Sequence, residues 1–298
     1  MADNQQTQLE LSHTNLPKAF IFGIGASFCL SVMGLFVKLV SPSASTNITI
    51  FSRFLISFIY IAIILGVRSL NGRHFSLKPQ RFSLHLLRAF FGLLGMSLLY
   101  YSLRFIPLMD ANLLTMTSPL FIPIITLILL GIRTRVSVLI AILVGFVGTA
   151  LVLKPSHGII DLHALYALGA GLASAFAIFM IREMGKRDHP QTMMFYYFLL
   201  TMLLSGTSLL FHCEMQWNQH TLLLLLGVGL SGTIYQECLI RGSCHAPASI
   251  MSTLLYLSVV FSTLFDWLIW GLIPDIYNQI GLILIVMSSY TIVTRRQA

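Results

Sequence analysis

The sequence predicts an all-α integral membrane protein, with ten transmembrane helices built as a 5+5 repeat whose halves have opposite orientations in the bilayer. Three observations predict it. The composition is too apolar for a water-facing globule, ten apolar stretches of spanning length are separated by polar breaks, and the two halves resemble each other at a fixed offset. Of 298 residues, 56% are hydrophobic and 9% charged, against about 25% charged in an average soluble domain. Such a chain cannot clothe a globule in polar side chains, so its surface must face lipid.

Crossing the hydrocarbon core takes about 20 mostly apolar residues. The stretches that meet this are 18 to 40, 46 to 67, 82 to 103, 110 to 131, 136 to 153, 162 to 182, 191 to 212, 220 to 241, 246 to 271 and 277 to 294. Before the first lies a polar tail, residues 1 to 17, opening "MADNQQTQLELSHTN". It lacks the basic n-region and small-residue cleavage site of a signal peptide, so the first stretch is expected to stay as a span. The second carries Arg53 within it, and the third follows the longest loop, "NGRHFSLKPQ". The fourth holds Pro119 and Pro123. Each proline removes a backbone hydrogen bond, which membrane helices tolerate because neighbouring helices and Ser/Thr side chains satisfy the freed carbonyls. Pro119 is expected to bend the fourth helix and expose the carbonyl of Thr115; Pro123 reads as a packing kink. The remaining stretches are separated by short loops that leave no room for a soluble domain.

Lys and Arg accumulate in cytoplasmic loops. With span ends numbered alternately, one side receives Lys18, Arg68, Arg73, Lys78, Arg81, Arg88, Arg133, Arg135, Arg182, Lys186, Arg187, Arg241, Arg295 and Arg296, fourteen of the eighteen basic residues. The other side receives Arg104, Lys154, Asp110, Asp161, Glu214 and Asp275. The pattern predicts a multi-pass protein of the cytoplasmic (inner) membrane with both termini in the cytoplasm. It also accounts for the net charge of +8 without nucleic-acid binding.

A shift of 137 residues places Gly92 and Gly95 ("GLLG") on Gly229 and Gly232 ("GLSG"), Arg104 on Arg241, Ala111 on Ala248, Asn112 on Ser249 and Thr115 on Ser252. The halves are therefore residues 18 to 155 and 160 to 298, five helices each. Five is odd, so the second copy enters from the opposite side. Secondary transporters are often built this way, with the substrate site near the midplane between the repeats.

Two long segments carry a family resemblance: "LLRAFFGLLGMSLLYYSLRFIPLMDANLLTMTSPLFIPIITLILLG" with "AILVGFVGTALVLKP", and "GLSGTIYQECLIRGSCHAPASIMSTLLYLSVVFSTLFDWLIWGLIPD". They resemble the first and second repeats of the EamA family in the drug/metabolite transporter superfamily, over nearly the whole chain. Within it the chain looks most like bacterial carriers of the S-adenosylmethionine-uptake type. The resemblance implies ten helices, a central cavity shared by the halves and transport of a small polar metabolite. The chain departs from the family pattern in three places. The glutamate usual after the fourth and ninth helices is replaced at Ile132 and Leu272, and "TLLY", ending at Tyr256, stands where relatives often read "PFEY".

Helical spacing then separates inward faces from lipid faces. In the ninth stretch His245, Ser249, Ser252, Tyr256, Thr263, Asp266 and Trp270 share one face; in the eighth, Gly229, Thr233, Glu237 and Arg241 do. Asn112, Thr115 and Pro119 match Ser249, Ser252 and Tyr256 in the other half. Ser252, Thr115, Asn112 and Tyr256 are expected to line the cavity. Ser27, Ser31, Gly34, Gly169, Ala173 and Ala177 are expected to be helix contacts, since small residues let membrane helices approach closely.

An ionisable side chain at the bilayer centre costs about 2.5 to 3.5 kcal/mol on insertion scales and finds a partner or a wet cavity. Glu237 stands four residues before Arg241, the favourable order for an ion pair on a helix. It is either a structural partner or a carboxylate that meets a cationic substrate or a proton. Arg53 lies seven residues into its stretch, about 10 Å deep at 1.5 Å per residue. It can hold a substrate carboxylate or neutralise Asp266, and the ion pair is the expectation. Asp110 sits where a helix N-cap belongs. Arg88, Arg104, Lys38 and Arg182 lie near span ends, where snorkelling accounts for them.

Together these features predict a secondary transporter of a small polar metabolite, with membrane lipid around it and protons as a candidate coupling ion. Glu237 and Asp266 with Tyr100, Tyr235, Tyr256, Trp267 and Trp270 would suit an organic cation such as S-adenosylmethionine, because aromatic faces attract ammonium and sulfonium groups. Export of amino acids or nucleoside-like metabolites is the alternative, and a membrane receptor a remoter one. Cys29, Cys213, Cys238 and Cys244 have no metal-ligand spacing, and the nine histidines form no His-Glu-x-x-His site. With no Walker loop and no paired polar residues in catalytic order, neither a cofactor nor an enzymatic activity is implied.

Overall fold

A computed structural model describes residues 16–70, 77–130, 136–153, 162–185, 188–209, 215, 218–243 and 254–297. Among them the regular structure is helical: α1 Leu16–Val40, α2 Thr46–Leu70, α3 Phe82–Ser102, α4 Leu108–Thr115, α5 Ser118–Leu130, α6 Val136–Leu153, α7 Leu162–Gly185, α8 Pro190–Ser208, α9 Gln219–Ser243, α10 Leu257–Trp270 and α11 Ile276–Gln297. Six segments are long and apolar enough to cross a membrane: Phe20–Val40, Thr46–Leu70, Phe82–Ser102, Leu108–Leu129, His163–Ile181 and Gln219–Gly242. Shorter apolar helices are Ile140–Thr149, Leu257–Trp270 and Ile276–Ser288. Large apolar side chains such as Ile21, Ile63, Leu143, Leu268 and Ile283 point outward and stay more than half exposed. Polar Ser27, Ser31, Arg53, Ser57 and Thr201 are completely buried. This inside-out distribution is that of a multi-pass membrane protein.

The helices pack by exchange between the halves. α1 lies chiefly along α9, and α3 along α7. α2 meets α8 and α9, α3 meets α8, α1 meets α10, and α7 meets α4 and α5. α6 and α11 pack on each other, where Gly148 comes up against the carbonyl of Gly281 and Ser288 donates to the carbonyl of Ala141. Every one of these pairings maps onto itself or onto another when the two halves are interchanged. The small-residue stripes form the seams. Ser27 and Ser31 donate across to the carbonyls of Leu254 and Ser258 on the ninth stretch at 2.7 and 2.6 Å.

Two spans are interrupted at matching places. The fourth is two helices, with a turn at Met116 and Thr117 between α4 and α5. Pro119 is therefore the second residue of α5, where a proline is tolerated, and the fourth span is broken ahead of it where a bend was expected. In the other half, Tyr256, the counterpart of Pro119, stands in a turn immediately before α10. The carbonyls of Leu114 and Thr115 at the first break lie so close to Gly171 of α7 that a Cβ there would stand 2.9 and 3.1 Å from them.

Candidate functional site

Two polar layers occupy the interior. The first surrounds the breaks. The Tyr256 hydroxyl donates to the Met116 carbonyl at 3.3 Å, joining the two interrupted spans. Asn112 donates to Ser262, which donates to the Ser258 carbonyl at 2.7 Å and reaches Ser31 at 3.2 Å. Thr115 donates to the carbonyls of Ala111 at 2.8 Å and Ala167 at 3.4 Å. Thr233 meets Ser57 at 2.7 Å and donates to the Gly229 carbonyl at 2.7 Å. Asn112, Thr115, Tyr256 and Thr233 are thus buried and hydrogen-bonded in the conformation described. Ser252 lies outside the described residues, as do Ser249 and His245, and Pro119 is placed by its backbone alone.

The acidic residues of the spans take partners that correct three expectations. Asp266 does not pair with Arg53. Its Oδ1 lies 3.5 Å from Lys38 Nζ, and its Oδ2 accepts the backbone N–H of Met109 at 2.7 Å. Lys38 also donates to the Ile106 carbonyl at 3.2 Å and stands 4.5 Å from the centre of the Trp270 ring. It is therefore an inward-facing counterion and does not snorkel. Nor does Asp110 cap α4. The N-cap is Pro107, and Asp110 accepts from Asn278 at 2.8 Å, while Asp266 of the other half satisfies the helix start. Glu237 and Arg241 form the ion pair read from their spacing, at 2.5 Å, with Arg241 half exposed.

The second layer is built around Arg53 and Arg88. Arg53 has no exposed surface, and its Nε, Nη1 and Nη2 have no hydrogen-bond partner among the described residues. Its guanidinium lies 4.5 Å from the Phe54 ring and within electrostatic reach of the Tyr100, Tyr197 and Tyr235 hydroxyls. Arg88 reaches the same Tyr197 from α3, with Cζ 4.0 Å from the ring centre. It is 7% exposed, so it too turns inward where snorkelling was expected. Glycines leave the room: a Cβ on Gly232 would stand 2.7 Å from Arg53 Nε, and one on Gly92 2.4 Å from Arg88 Nη1. Tyr100, its hydroxyl buried without a hydrogen-bond partner among the described residues, also borders a tight surface cleft with Ser41, Thr46, Thr49 and Arg104. Among the described residues no carboxylate pairs with either guanidinium. Sequence reasoning missed Tyr197 altogether; the signal available was the adjacent pair Tyr196 and Tyr197 within an apolar stretch.

Known proteins share this architecture. A solved crystal structure superposes at a TM-score of 0.61 with 19% identity, covering 93% of this chain and 98% of that one, so the two share a fold. The chain is 27% identical over 281 residues to a pseudopaline exporter of Pseudomonas aeruginosa, covering 92% of this chain and 95% of that protein. It is 29% identical over 231 residues to a riboflavin transporter of Vibrio cholerae, covering 77% and 78%. To an S-adenosylmethionine uptake transporter of Rickettsia bellii it is 23% identical over 279 residues, covering 93% and 94%. The EamA-like transporter family matches both halves, over residues 17–154 and 162–294, and the chain belongs to that family.

Proposed function

We propose that the protein is a secondary transporter moving a small polar metabolite across the cytoplasmic membrane by alternating access. Its ten spans form two inverted five-helix halves, residues 18 to 155 and 160 to 298, with both termini in the cytoplasm. The observation that carries this reading is the exchange of helices between the halves, with the two interrupted spans joined at Tyr256 and Met116. Discontinuous helices at a repeat interface are where secondary transporters of known architecture hold their cargo. On opening, Asn112, Thr115, Ser252, Thr233, Tyr256 and the backbone at the break before Pro119 line the path, with Tyr100 and Arg53 beside it. The carboxylate of Glu237 is the carrier for a coupling proton.

The relatives' cargoes, pseudopaline, riboflavin and S-adenosylmethionine by their names, are chemically varied and support a small metabolite without choosing one. An organic cation would need a carboxylate to meet it, and Glu237 and Asp266 both already hold a basic partner. The test is flux: proteoliposomes containing the purified protein, exposed to a mixed metabolite pool, should retain a small set of compounds saturably, as read by mass spectrometry. Retention no greater than in protein-free liposomes would reject the carrier and leave a receptor. A cysteine replacing Asp161 should be labelled from outside the cell and tags on both termini only from inside; termini on opposite faces would remove the inverted repeat.

A further inference from the structure

Building on that carrier reading, we infer that the substrate presents an oxyanion, a carboxylate or a phosphate, to the paired guanidiniums of Arg53 and Arg88 around Tyr197. The contrast with the other basic residues of the interior carries the inference. Lys38 is matched by Asp266 and Arg241 by Glu237, whereas Arg53 is fully buried and its three guanidinium nitrogens have no hydrogen-bond partner among the described residues. A charge held at membrane depth finds a partner or a wet cavity, and among the described residues no carboxylate meets this one. Arg88 brings a second positive charge to the same tyrosine.

The two approach from opposite faces. Arg53 is seven residues from the start of α2 and Arg88 six from the start of α3, and consecutive spans run in opposite directions. Each side chain is thus carried about 10 Å inward by its own helix. A guanidinium offers a planar fork of donors that matches carboxylate or phosphate oxygens bidentately. The Tyr100 hydroxyl, without a hydrogen-bond partner among the described residues, adds a donor beside Arg53. An organic cation in the same place would face two like charges.

The test uses the purified full-length protein in detergent. Its melting midpoint is titrated with sodium acetate, sodium phosphate and tetramethylammonium chloride at matched ionic strength. At least one of the two anions should raise the midpoint saturably and tetramethylammonium should not; the anion that saturates at lower concentration identifies the carboxylate or the phosphate. Arg53→Gln should raise the half-saturating concentration at least tenfold, while Arg81→Gln, at the exposed N-cap of α3, should change it less than twofold. Should Arg53→Gln fail to fold, Arg53→Lys keeps the charge, loses the fork and should weaken the anion at least fivefold. No saturable stabilisation by either anion, or the same titration in wild type and the Arg53 variants, overturns the inference. Anion stabilisation without flux in proteoliposomes keeps the site and removes the carrier. Flux of a cationic metabolite undiminished in Arg53→Gln removes the site and keeps the carrier.

Discussion

The layer at the helix breaks and the layer around Tyr197 are both buried, yet the first is largely joined by hydrogen bonds, with Ser258 Oγ and Oδ1 of Asp266 left over, whereas all three guanidinium nitrogens of Arg53 lack a hydrogen-bond partner among the described residues. Around the breaks, Asn112, Ser262, Ser31, Tyr256 and Asp266 each meet a protein partner. Around Tyr197, the Arg53 guanidinium lies against the Phe54 ring and meets no carboxylate among the described residues. Satisfied polar contacts hold helices together, and removing one partner strands the other in a medium without water. Unsatisfied donors contribute little to the fold and are available to something that arrives. Burial alone therefore does not separate a structural polar residue from a functional one; the completeness of its hydrogen bonding does.

That contrast can be tested by comparing stabilities, measured as reversible unfolding of the purified protein. The largest loss should follow Asp266→Ala, about 3 kcal/mol, because it leaves Lys38 without its counterion and the Met109 N–H without an acceptor. A stable Asp266→Ala protein would break the comparison at its strongest point. Gly171→Ala should cost about 1 to 3 kcal/mol, since the new methyl meets the carbonyls of Leu114 and Thr115, which are backbone and cannot swing aside. A smaller effect, about 0.3 to 0.5 kcal/mol, is expected for Glu237→Gln, whose half-exposed partner Arg241 is solvated without it. If flux or its pH dependence falls sharply in that stable variant, Glu237 carries a proton and its pairing with Arg241 is incidental. Arg53→Met, close in volume and without charge, should cost nothing or stabilise, as replacement of buried charges by apolar groups often does. A loss above about 2 kcal/mol would move Arg53 into the structural layer.

The six long apolar segments were legible in the sequence because runs of apolar residues between polar breaks are imposed by membrane thickness alone. The pair Glu237 and Arg241 was legible because i,i+4 neighbours on a helix must meet. Pairing between helices was not. Arg53 and Asp266 lie toward the same end of the bundle, but α1 brings Lys38 to Asp266 first, and nothing in the local pattern of α10 specifies which neighbour that will be. Arg88 and Lys38 were read as snorkelling because both sit near span ends; Gly92 and Tyr197 make room for Arg88 on the inner side, and Asp266 draws Lys38 there. The break at Met116 was partly announced by Pro119. Its counterpart before α10 carries no proline, so only the repeat could have suggested it.

The seam between Ser27, Ser31 and the ninth stretch joins residues 227 positions apart. At about 5 to 20 residues per second of synthesis, the acceptors Leu254 and Ser258 emerge about 10 to 45 s after the hydroxyls that will bond them. During that interval α1 sits in the bilayer with its serines bonded only within their own helix, to the carbonyls of Gly23 and Ser27. Those intrahelical bonds let the first helix wait. A ribosome that stalled before the second half would leave an inserted chain with no partner for its seam.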